Sequence, residues 1–124
     1  MGKYFMEESK NRSAALGRLN MGISVAYEIA SIALIAIIVF GDVANANDSI
    51  KRLVAFSAVI TSVTAWIFTS NGLKTAENSV KDMSAEEAAT ASGKNGSKQP
   101  WMIYQIYALG ITVATIAVTL TAIY

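Results

Sequence analysis

The sequence predicts an all-α integral membrane protein with three transmembrane helices, a short N-terminal interfacial helix and a partly helical cytoplasmic loop between spans two and three. Three observations carry this reading. Residues 101–124 and 53–72 contain no charged side chain, and residues 19–40 contain only Glu28. A helix rises about 1.5 Å per residue, so roughly 20 apolar residues cross a hydrocarbon core of about 30 Å. Composition agrees, with 53% apolar and 15% charged residues against roughly 25% charged in soluble domains. The cations also divide by segment. Lys3, Lys10, Arg12 and Arg18 precede span one and Lys74, Lys81, Lys94 and Lys98 lie between spans two and three, leaving only Lys51 and Arg52 between spans one and two. Cytoplasmic loops collect lysine and arginine, which places the N-terminus and the 73–100 loop in the cytoplasm and the C-terminus on the opposite side.

The segments follow in order. Residues 1–18 are polar, but Tyr4, Phe5 and Met6 give them the apolar edge of an interfacial helix. The first span covers 19–40, and a short non-cytoplasmic loop covers 41–52, rich in turn formers from Gly41-Asp42 to Ser49. The second span covers 53–72 and ends at Asn71-Gly72, a helix-stop pair. In the 73–100 hydrophilic loop, Ser84 followed by Glu87 is a capping-box pattern that predicts a helix start. Pro100, the only proline, stands before Trp101, where it opens the third span (101–124) without breaking it.

Composition narrows the chemistry. Cysteine and histidine are both absent, which removes thiol nucleophiles, disulfides, nitrogen/sulfur zinc sites and histidine acid–base catalysis. The sequence has no glycine-rich phosphate loop and no catalytic pair of carboxylates. The expectation is a non-enzyme with no catalytic residues, cofactor or metal. A net charge of +1 gives no basis for nucleic acid as a partner.

The faces of the spans carry the remaining information. Within lipid, helices associate through close packing of small residues and interhelical hydrogen bonds. Gly22, Ala26, Ala30 and Ala33 form a small strip on span one. Ser57, Thr61 and Thr64 recur on span two with Ala58 and Ala65 beside them, and Gln105, Ala108, Thr112, Thr115 and Thr119 recur on span three. These faces are expected to pack within the bundle or against further copies. A second line on span one, Asn20, Ser24, Glu28 and Ser31, draws a polar stripe into the membrane. An acid there is costly against lipid, so it faces protein, faces water or carries its proton. The structural expectation is a hydrogen bond from Glu28 to Gln105 or to a span-two hydroxyl. The functional one is proton or cation handling.

Ala44-Asn45-Ala46 after an apolar run and a basic leader has the parts of a secretory cleavage site. Cleavage there would leave two spans joined by a polar loop, a layout that resembles the two-helix pilins of conjugation and type IV secretion systems. The length of such a leader, and Glu28 within its hydrophobic stretch, count against it. The sequence thus points to a structural subunit of a larger membrane-embedded assembly, of the secretion, conjugation or virion-membrane type. Its partners would be the lipid bilayer and further copies or other membrane-protein subunits. The alternative is a small pore-forming, holin-like or ion-coupled transport protein using Glu28.

Overall fold

The computed structural model describes residues 2–124, which are helical with no strand among them. Five helices follow one another: α1 (Gly2–Phe40), α2 (Asp48–Lys81), α3 (Ala85–Ala88), α4 (Ala91–Ser97) and α5 (Trp101–Ile123). Helices α1, α2 and α5 are each long and apolar enough to cross a membrane. With 39 and 34 residues, α1 and α2 run about 58 and 51 Å at 1.5 Å per residue. Both extend well beyond the apolar stretches the sequence marks.

Two expectations are corrected here. The N-terminal segment is not a separate interfacial helix but the first turns of α1, which continues unbroken through residues 18 and 19. Nor does α2 stop at Asn71-Gly72; it continues to Lys81. The reason is a seam between the two helices. On α1 the seam positions are Lys10, Ser13, Gly17, Asn20, Ser24, Tyr27, Ser31, Leu34 and Ile38, in alternating steps of three and four, Tyr27 at its edge being exposed but stacked on Phe68. On α2 they are Ala55, Ala58, Ser62, Ala65, Thr69 and Gly72, with the same alternation. A seven-residue repeat keeps one seam facing its partner over many turns. Small side chains on both sides let the backbones approach closely.

The antiparallel register is legible from individual contacts. Gly17 lies against Thr75, a Cβ built on Gly72 would stand 3.1 Å from Met21 Cε, and Ser24 Oγ shares a hydrogen bond with Thr69 Oγ1. Further along, Tyr27 stacks on Phe68 at 6.4 Å between ring centroids, and Ile38 packs with Ala55. Gly72 therefore works as a close-approach residue inside a helix rather than as a stop. Tertiary packing outweighs its cost of about 1 kcal/mol in helix propensity.

At one end the hairpin closes through a short 3-10 turn at Val43–Asn45. Gly41 is needed there because a Cβ would sit 2.5 Å from the Ile37 carbonyl oxygen. Asp42 adopts the left-handed conformation (φ 51°), and its carboxylate accepts from Asn45 Nδ2 at 2.9 and 3.1 Å. Asn47 caps α2 by accepting from Ile50 N at 3.0 Å. Val43 and the fully buried Ile123 join Ile38 and Ala55 in a small apolar cluster that ties the end of α5 to this turn.

At the other end, α3 and α4 fold back on the extended hairpin. Ser84 caps α3 as the sequence predicts: its Oγ accepts from Glu87 N at 3.2 Å, and Glu87 Oε2 accepts from Ser84 N at 3.1 Å. Glu87 also accepts from Lys10 Nζ, linking α3 to α1. This contact puts the N-terminal segment and the 73–100 segment at the same end of the molecule. The Lys10 hydrogen bond and then the Ser84 N–H hold the Glu87 carboxyl below its ordinary value of 4.5. A depressed carboxyl pKa contributes stability above the unfolded value that is lost as pH falls through the folded value. Acidification from neutral pH into the range below 4.5 should therefore loosen α3 from α1 and, with it, α4, which packs on α3 and α2. Faster amide exchange at residues 85–97 on acidification, after correction for the intrinsic rate, checks this. In Lys10→Met that pH dependence should be reduced.

Candidate functional site: a cleft between the first and last helices

Helix α5 lies along α2 but meets α1 only briefly, near the turn that closes the hairpin. The two outer helices share α2 as a floor, and a cleft of about 560 Å³ opens between them. Glu28, Ser31, Ile32 and Ile35 form the α1 wall, and Ser62, Ala65, Trp66 and Thr69 the floor. Tyr104, Tyr107, Ala108, Thr112 and Thr115 form the α5 wall. A narrower apolar continuation of about 360 Å³ runs toward the closed end past Ile38, Val118 and Thr119.

The position of each polar group follows from the helical repeat. The predicted stripe Asn20, Ser24, Glu28, Ser31 steps by four, four and three, whereas the packed seam takes Asn20, Ser24, Tyr27 and Ser31. Glu28 thus flanks the seam, about 100° round the helix from Tyr27 but only about 40° from Ser24. Ser24 is buried at 3% exposure, while Glu28 faces the cleft and is exposed. Neither the hydrogen bond expected from Glu28 to Gln105 nor its alternative to a span-two hydroxyl forms. Gln105 is engaged with α2 instead: Ser70 Oγ donates to Gln105 Oε1 at 2.7 Å, and Gln105 Nε2 donates to the Ser70 carbonyl at 3.0 Å. Among the described residues Glu28, Ser31 and Thr115 have no hydrogen-bond partner, and Trp66 Nε1 is buried without an acceptor.

The predicted packing residues separate into three groups. Gln105, Ala108, Thr112 and Thr115 are half-buried and Thr119 is buried, all turned toward α2 or the cleft. Ser57, Thr61 and Thr64 are half-buried beside the seam, which runs one residue further along through Ala58, Ser62 and Ala65. Thr61 and Thr64 donate to the carbonyls of Ser57 and Ile60 in their own helix, both at 2.7 Å, so neither needs a partner across the interface. Gly22, Ala26, Ala30 and Ala33 are exposed on the face of α1 directed away from both α2 and the cleft.

Sequence reasoning placed Ala58 and Ala65 only beside the hydroxyl line and did not trace the seam on through Ala55, Ser62 and Gly72, because alanine carries no polar mark. The even spacing from Ala55 to Gly72 was the available signal. No cluster of three or more acidic, histidine or cysteine side chains suited to a metal is present among the described residues. Comparison with known protein families, curated proteins and solved structures finds no match.

Proposed function

We propose that the chain is a non-enzymatic structural subunit of a larger membrane-embedded assembly, with its N-terminus and the 73–100 segment in the cytoplasm. The observation that carries this reading is the unfinished cleft. Glu28, Ser31 and Thr115 face an open groove within the apolar stretch and lack partners there. Hydrocarbon offers no hydrogen bonds, so polar groups at that depth are satisfied by protein or by water. A subunit completed by its neighbours meets that requirement. The overhanging ends of α1 and α2, bound to α3 and α4, then form a small cytoplasmic platform rather than a catalytic domain.

The same cleft supports one competing reading, since a water-filled groove with a single acid also suits ion-coupled transport. Glu28→Gln separates the two, because it keeps shape and hydrogen-bonding capacity but cannot ionise. The structural reading expects Glu28→Gln to assemble as the wild type does. Glu28→Leu should assemble less well, by about 1 kcal/mol or less per lost contact, with no proton leak from vesicles containing either protein or the wild type. A wild-type leak that vanishes in a fully assembled Glu28→Gln protein would favour transport.

A further inference from the structure

We infer that the cleft is filled by the outer face of α1 from a second copy of this chain, seated head to tail. The inference rests on the subunit reading above and names the interface. At about 100° per residue, Gly22, Ala26, Ala30 and Ala33 project on the side of α1 roughly opposite Glu28, Ile32 and Ile35. The strip and the cleft wall therefore belong to one helix at one depth, and neighbours related by rotation about the membrane normal bring them level. Their chemistry is complementary. The cleft presents hydroxyl donors at Ser31 and Thr115 beside the Glu28 carboxyl, all without hydrogen-bond partners among the described residues. Glycine and alanine leave the backbone carbonyls of a helix accessible, and the strip is exposed along its whole length. Lipid supplies the required bulk but no acceptors. A larger side chain on the strip would fill the groove before the backbones met. Because strip and cleft are different surfaces, the contact is heterologous and generates a ring or a filament rather than a closed pair.

The chain has no cysteine, so introduced thiols report cleanly on which surfaces meet. Alignment of α5 with α1 through Thr115 beside Ser31 and Ile123 beside Ile38 puts Thr112 level with Tyr27 and Glu28, within about one helical turn of Ala30 along the axis. Ala30→Cys and Thr112→Cys are made in separate chains, co-expressed and oxidised in the membrane. The expected result is a disulfide-linked dimer in the mixture and its loss when either variant is expressed alone. Ser24→Cys with Thr69→Cys in one chain is the internal control, because those side chains already touch. A dimer formed by Ala30→Cys alone would make the strip a symmetric interface and overturn the inference while leaving the subunit reading intact. No dimer in the mixture, with the control formed and a multimeric mass in lipid, would also overturn the inference alone. The mass of a single chain in lipid would overturn both.

Discussion

Replacing Ala58 and Ala65 together by leucine should separate α1 from α2. Both alanines are buried in the seam, at 6% and 8% exposure, and Ala58 lies beside Ser31 and Leu34. Overpacking a close-fitting contact costs typically 1–3 kcal/mol per site, here about 2–6 kcal/mol for the pair if the sites act independently. The loss per site should exceed that from Ala117→Leu on the exposed face of α5, which makes the same substitution once and without an opposing helix. Reversible unfolding in detergent micelles gives the stability difference, and the yield of the Ser24→Cys/Thr69→Cys link gives helix separation directly. Equal stability of the double variant and the Ala117→Leu control would mean that the seam does not hold the hairpin together.

Gln105→Leu should be the most damaging single change on α5. The amide makes two hydrogen bonds to Ser70, one as acceptor and one as donor, and these anchor the open end of α5 to α2. Interhelical hydrogen bonds in membranes average about 0.6 kcal/mol each and reach about 1.7, so the expected loss is about 1–3 kcal/mol. Gln105→Asn, with a shorter side chain, should recover little of it. Thr112→Val should cost less, because Thr112 donates only to the Ala108 carbonyl of its own helix. Detachment of α5 at its Trp101 end would appear as faster amide exchange over residues 101–108 than over 116–123, where Thr119 and Ile123 remain buried. Uniform exchange along α5 in Gln105→Leu would contradict the anchor.

The long apolar helices were legible because hydropathy depends on composition, and the Ser84–Glu87 cap was legible because a capping box is a local motif. The extent of α1 and α2 was not. Lys10, Ser13 and Gly17 look like a polar tail, and Asn71-Gly72 looks like a helix end, until the partner helix supplies Thr75 and Met21 opposite them. A seam of small residues has weak hydrophobic periodicity, so its seven-residue repeat is easily hidden by louder polar neighbours. Hydroxyl spacing pointed to Ser57, Thr61 and Thr64, yet two of these hydroxyls bond within their own helix and the packed line is the adjacent one. For Glu28 the stripe left open whether the side chain faces protein or water, and the helix geometry turns it toward the cleft. A drift of one position moves a side chain from a helix pair into a cleft, and the paired Ser24 fixes which positions stay inside.

The claim that this chain is an incomplete unit, finished by its neighbours, is tested most directly by mass measurement on protein released from the membrane with its native lipids. One chain weighs 13.2 kDa. The account predicts that the unmodified protein, expressed alone, is found as a multiple of that mass, and that Ala30→Leu shifts it toward the single chain. A single-chain mass for the unmodified protein at every membrane density, with its own lipids still bound, would contradict it.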